Sequence, residues 1–191
     1  MSGSPSAFIL PGRHQPPHFD HLRLIACALE QIPDELNVGL IVSPALEGEP
    51  DTQFEREARE HHAPDRAPFG FALRRRMLEL ALSESLSAAD FARVRILPLP
   101  RPEVSFELVQ AIFPDPRVWI IPEVGEAFDE MKARFFLDRG DQVLRLRLRC
   151  EISGRTVRDL IEAEAWKQLE TYAPLSVIQL IREERARRSL I

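Results

Sequence analysis

Two cysteines in 191 residues, Cys27 and Cys150, are too few for a disulfide framework, and without a Cys-x-x-C pair no structural zinc site of the usual spacing is indicated. Lysine is equally scarce: Lys132 and Lys167 are the only two, so arginine carries nearly all of the positive charge. The planar guanidinium suits phosphate, although a GC-rich coding bias accounts for much of such an excess. No Gly-x-x-x-x-Gly-Lys-Ser/Thr run exists, which argues against a P-loop kinase. No apolar run approaches the roughly 20 residues of a membrane span, and Ala-Phe-Ile-Leu at 7–10 is too short for a signal-peptide core. A cytoplasmic protein with no membrane partner is expected. The formal charge of -5 lacks the basic footprint of a nucleic-acid-coating protein, so no nucleic-acid partner is expected either.

What is present suffices for one domain. A chain of 191 residues with 45% hydrophobic content can build a core of its own. The expectation is a single domain over 1–191, with a polar insertion at 47–66 and a helical C-terminal segment at 165–191.

The rest of the chain is organised around Ala7 to Glu30. Phe8, Ile9 and Leu10 form a short apolar strand, Pro11 and Gly12 a tight turn, and a loop follows with Arg13, His14, His18 and His21. Leu22, Ile25, Ala26 and Leu29 then recur at helical spacing. Strand, loop and helix N-terminus in this order present backbone N–H groups to an anion. His18 and His21, three apart, lie on one side of the first helical turn, where both imidazoles can meet a phosphate.

Within that loop, Gly-Arg-His-Gln-Pro-Pro-His-Phe-Asp-His resembles the signature of the nucleotidyltransferase superfamily, most closely that of the archaeal-type nicotinamide mononucleotide adenylyltransferases. Asp20 stands where those enzymes have glycine. The segment from Pro68 resembles another family stretch, with Pro68, Phe69 and Arg74 matching and Gly70 in place of threonine. Glu151 to Ile161 resembles the family's second motif at a helix start, with Arg155 where a threonine is usual. Trp166 to Leu169, a proline and the apolar positions Leu175, Val177, Ile178 and Ile181 are similar to its closing segment.

The resemblance implies a residue-by-residue site. His18, His21 and Arg13 would act on the transferring phosphate. Leu10, Gly12, Ser153, Gly154, Arg155 and Arg158 would hold ATP, and Glu103, Phe106 and Arg74 the acceptor. Phe106 is open to a core role instead of stacking, and Arg75 and Arg76 to a solvated face. Mg²⁺ would come with ATP, AMP would pass to nicotinamide mononucleotide, and NAD and pyrophosphate would form. The family often assembles as homo-oligomers, so a second copy is a further expected partner.

Alternatives stay open. Asp20, Arg155 and the turn at Pro122 to Val124 also suit a nucleotide-binding homologue of lost or altered activity, a sensor or assembly subunit. Another phosphorylated acceptor, or cytidine triphosphate as donor, would change little in the motifs. A metal site from His14, His18, Asp20 and His21 is a third reading. His61 and His62, lacking a third ligand, are read as solvent-exposed in a mobile excursion or short exposed helix.

Phe8–Leu10, Asn37–Ala45, Arg93–Leu99, Arg117–Pro122 and Gln142–Cys150 read as strands alternating with helices. Right-handed crossovers then predict a Rossmann-like, doubly wound parallel sheet of order 3-2-1-4-5. Strict alternation in the last strand sets Leu144, Leu146 and Leu148 against Arg145, Arg147 and Arg149, arginines read mainly as a solvent or subunit face.

Overall fold

The structure, a computed structural model, describes residues 7–42, 50, 52–63, 66–123, 127–148 and 150–188. Its centre is a five-stranded parallel sheet of order β3-β2-β1-β4-β5, as the sequence predicts. The strands are β1 (Ala7–Gly12), β2 (Leu36–Val42), β3 (Val94–Pro100), β4 (Arg117–Pro122) and β5 (Gln142–Leu146). The order reverses at β1, whose neighbours are β2 and β4, and the carboxyl end of such a reversal is where open α/β sheets bind ligands.

Side chains alternate across the sheet with the two-residue period of a strand. Leu10, Val38, Leu40, Ile96, Ile120 and Leu146 face one layer, made by α1 (Phe19–Gln31), α3 (Phe71–Ser85), α7 (Gly154–Glu162), α8 (Trp166–Leu169) and α9 (Leu175–Arg188). Ile9, Leu99, Trp119 and Ile121 face the other, made by α5 (Phe106–Ile112) and α6 (Ala127–Leu137). A short α4 (Ala88–Ala92) leads into β3. Both faces being covered, the strands read as near-continuous apolar runs.

Helix faces follow the apolar spacing. Leu22, Ile25 and Leu29 of α1 and Met77, Leu78, Ala81 and Leu82 of α3 are buried. In α9 the stripe turns: Val177, Ile178 and Ile181 are buried with Leu180, whereas Leu175 is exposed. The strand expected at 142–150 stops at Leu146, so its arginines form no continuous ladder. Arg145 pairs with Glu130 and Arg147 with Glu123 (3.2 Å), and Arg149 lies outside the described residues.

The polar segment differs most from expectation. Among its described residues α2 (Gln53–His61) forms, with Thr52 accepting from the Glu55 N–H as N-cap. Its Phe54 stacks on Phe128 (ring centroids 5.7 Å) and meets Phe135 (4.8 Å), both on α6. Two aromatic contacts dock α2 on a layer helix, which is why it is neither an exposed helix nor a loose excursion.

Candidate active site

Between β1 and α1 the chain turns tightly over itself. A side chain on Gly12 would collide with the His14 ring, which lies over the glycine, and His14 itself takes a left-handed backbone (φ 48°). His18 caps α1 in extended conformation, and its N–H donates to Nδ1 of His21 (3.3 Å). A neutral imidazole accepting at Nδ1 carries its proton on Nε2, so His21 presents a donor. The three rings pack against one another, His18 to His21 at 3.7 Å and His14 to His21 at 4.4 Å between centroids. Burial lowers His14 to about 3 and His18 to about 4, the latter against the opposing pull of Asp20, and holds His21 well below its ordinary range. All three are neutral near pH 7.

The loop is fixed from both sides. The Gln15 side chain donates to the Phe69 carbonyl (2.9 Å) and accepts from the Phe69 N–H (3.0 Å). Arg74 of α3 donates to the carbonyls of Arg13 (2.7 Å) and Ile41 (3.0 Å). From the other motif, Arg158 donates to the Gln15 carbonyl (3.1 Å).

Asp20 is held through both of its oxygens. Its Oδ2 accepts from the backbone N–H groups of Glu151 (2.6 Å) and Ile152 (2.7 Å), and its Oδ1 from Arg23 (3.0 Å). The residue is 2% exposed. The carboxylate therefore ties the start of the second motif to the first turn of α1, and its charge is met by three donors. There Ser153 caps α7, accepting from the Thr156 N–H (3.1 Å). Arg158 lies against Gly154, where a Cβ would sit 3.3 Å from its Nη1.

A cavity of about 500 Å³ opens where these parts meet. It gathers Leu10, Gly12, Arg13, His18, His21, Glu103, Ser153, Gly154, Arg155 and Arg158 from the expected site. Arg74 and Phe106 are not on its wall. Arg74 is 4% exposed and acts behind the cavity through the two carbonyls it binds. Phe106 packs edge-on to Phe135 (5.9 Å), with the guanidinium groups of Arg117 and Arg139 over its ring at 5.6 and 5.2 Å. It is half-buried in the apolar layer, away from the cavity wall. Glu103 lines the cavity with its carboxylate on Arg101 (2.6 Å), both side chains buried. Of the turn at 122–124, Pro122 lines the cavity, Glu123 pairs with Arg147, and Val124 lies outside the described residues.

The far wall was not legible from motifs. His61 and His62, expected in solvent, line the cavity, because α2 lies along α6 with the His61 ring stacked on Phe128 (4.1 Å, 10° between planes). Burial, then Arg13 and other nearby cations, lowers His61 to about 4; burial, then Arg101, lowers His62 to about 3. Phe54, Arg66, Phe128, Asp129 and Lys132 complete this wall, Asp129 pairing with Lys132. The signals available in the sequence were the Thr52–Glu55 capping pair and the aromatic spacing.

A metal held by His14, His18, Asp20 and His21 does not fit: the His14 and His18 rings pack at a tilt against that of His21, and both Asp20 oxygens already accept hydrogen bonds. Among the described residues no group of three His, Cys, Asp or Glu side chains could hold a metal ion. The cavity's carboxylates, Asp20, Glu103 and Asp129, each already meet a cation.

No protein-family model matches the chain, and no curated protein matches it. Among solved structures it is similar to the crystal structure of Thermotoga maritima TmcAL bound with alpha-thio ATP, at 11% identity and a TM-score of 0.45. That alignment covers 95% of this chain and 56% of the other, so the chain spans little more than half of its length. Among the described residues no helix is long and apolar enough to cross a membrane.

Proposed function

We propose that the protein is a nucleotidyltransferase that transfers AMP from ATP to the phosphate of nicotinamide mononucleotide, giving NAD and pyrophosphate. The observation that carries this reading is the joining of two motif segments, 131 residues apart, by the Asp20 carboxylate, so that His18, His21, Arg13, Ser153 and Arg158 share one cavity at the sheet's reversal point.

In this reading the α7 N-terminus, whose first N–H groups have no helical carbonyl to bond, receives the β and γ phosphates with Arg158. An acceptor phosphate oxygen attacks the α-phosphorus in line, the bond to the β-phosphate oxygen breaks, and pyrophosphate leaves without a covalent enzyme intermediate. His21, with its proton on Nε2, donates to a non-bridging oxygen of the transferring phosphate, and His18 stands beside it. Donors already held in place stabilise charge there without reorganising. Arg13, lowered to about 10 by burial and by the facing Arg158 and Arg66, remains charged and sits between the two phosphate-bearing substrates. Mg²⁺ accompanying ATP supplies charge neutralisation on the triphosphate.

The test is NAD formation from ATP, Mg²⁺ and nicotinamide mononucleotide by the purified protein beside His21→Ala. Turnover lost in the variant supports the reading. Equal turnover in both, or ATP binding without turnover by the unaltered protein, refutes it; the second outcome favours a homologue that binds nucleotide without catalysis.

A further inference from the structure

His14 is a buried titratable group at the centre of the cavity that the transfer of AMP does not use. Three observations set it apart from a residue that only fills space. It lines the cavity yet is 2% exposed, and neither ring nitrogen has a hydrogen-bond partner among the described residues. Its backbone is left-handed, a conformation that costs energy for any residue but glycine. Its ring lies on the bare Cα of Gly12, where a Cβ would meet three of the ring's atoms.

Gly12 has no left-handed backbone of its own; among the described glycines only Gly140 does. What the missing side chain provides is therefore room above the Cα, and the His14 ring takes it. A phenylalanine packed against His21 would bring similar ring contact without burying two unpaired nitrogens, which folded proteins avoid. An imidazole kept there at that cost points to hydrogen bonds made in a second arrangement. The loop restricts what that arrangement is. Arg74 binds the Arg13 carbonyl, Arg158 the Gln15 carbonyl, and the Gln15 side chain both polar groups of the Phe69 backbone. With the backbone held on each side of His14, the ring is left to turn about its own side-chain bonds.

Resting on the nucleotidyltransferase reading, we propose that His14 is a further phosphate-binding residue, whose ring leaves Gly12 when an oxyanion enters the cavity and donates an N–H to it beside His21. The two rings stand 4.4 Å apart, so donors from both can meet one phosphate group, which has several non-bridging oxygens to accept them. The turn also uncovers Gly12, whose lack of a side chain then lets a phosphate oxygen approach the backbone.

The experiment is nuclear magnetic resonance of the full chain labelled with nitrogen-15 and carbon-13, without ligand and saturated with a non-hydrolysable ATP analogue and Mg²⁺. The nuclear Overhauser contact between the His14 ring and the Gly12 α-protons is expected in the ligand-free protein. It should vanish on saturation, as one His14 ring N–H becomes slow to exchange. Calorimetry should show His14→Asn, a residue that tolerates the left-handed backbone, binding the analogue about tenfold more weakly. A ring that keeps its contact with Gly12 in the saturated protein overturns the inference, and so does a variant that binds as tightly as the parent. Binding of the analogue to the unaltered chain separates the two claims. Where it binds and His14 stays on Gly12, this inference alone falls; where it does not bind, the nucleotidyltransferase reading falls with it.

Discussion

Replacing Asp20 tests the joint between the two halves of the site. Asp20→Ala removes acceptors from two backbone amides bonded at 2.6 and 2.7 Å and from Arg23 at 3.0 Å. A bond to a charged group contributes about 1.5–3 kcal/mol. Glu151 is exposed and Ile152 half-buried, so water can reach their amides, and the low end applies; the Arg23 side chain, 56% exposed, adds little. The sum is about 3 kcal/mol, or a fall of about 6–12 °C in melting temperature for a chain of this size. Asp20→Asn retains one oxygen where Oδ2 now serves both amides and costs about 1 kcal/mol. Because the tie positions the α7 N-terminus, ATP affinity should fall about tenfold in the alanine variant and far less in the asparagine one. Calorimetric melting with and without ATP decides the matter. An alanine variant melting within about 2 °C of the parent, or an asparagine variant as damaged as alanine, would refute the role of the carboxylate as a tie.

His21→Ala should lower kcat by about 10²–10³, the cost of one donor at a transition-state oxygen, with the melting temperature little changed; steady-state kinetics and a melt read both. Asp141→Ala acts elsewhere. Asp141 accepts from Arg117 (2.7 Å) and Trp119 (2.6 Å) at the amino end of β4, opposite the cavity, so the variant should lose about 3–5 kcal/mol by chemical denaturation and keep its ATP affinity. Arg74→Met should raise the acceptor's KM by freeing the Arg13 carbonyl while kcat changes less, and equal effects on both would show that Arg74 does more than position the loop. Acid should unfold the protein early. His14 and His18 sit at about 3 and 4 against 6.5 in the unfolded chain, so below pH 6.5 the unfolded state binds protons that the folded state refuses. Stability is full above pH 6.5 and declines toward pH 4, each of these two histidines removing about 1.4 kcal/mol per pH unit. A urea midpoint flat from pH 7 to about 4.5 would contradict it.

The sequence by itself determined the sheet, its order and the loop after β1. Apolar runs of strand length separated by amphipathic helices admit few right-handed arrangements, and a glycine followed by three histidines and a helix start marks the strand–loop–helix joint, although Phe69, Arg74 and Arg158 hold its loop from a distance. Tertiary structure alone decided the rest. Arg74 and Phe106 were expected at the acceptor. Arg74 instead holds two loop carbonyls, and Phe106 enters the aromatic layer of α6, because burial is settled by what packs opposite a residue, not by its neighbours in the chain. Asp20 read only as a departure from the resembled pattern, until a loop 131 residues onward supplied two amides for it. His61 and His62 close a helix of little local apolar content, and the rings of Phe128 and Phe135 turn it inward. Local pattern fixes which element forms, whereas contacts across sequence distance fix which of its faces meets the cavity.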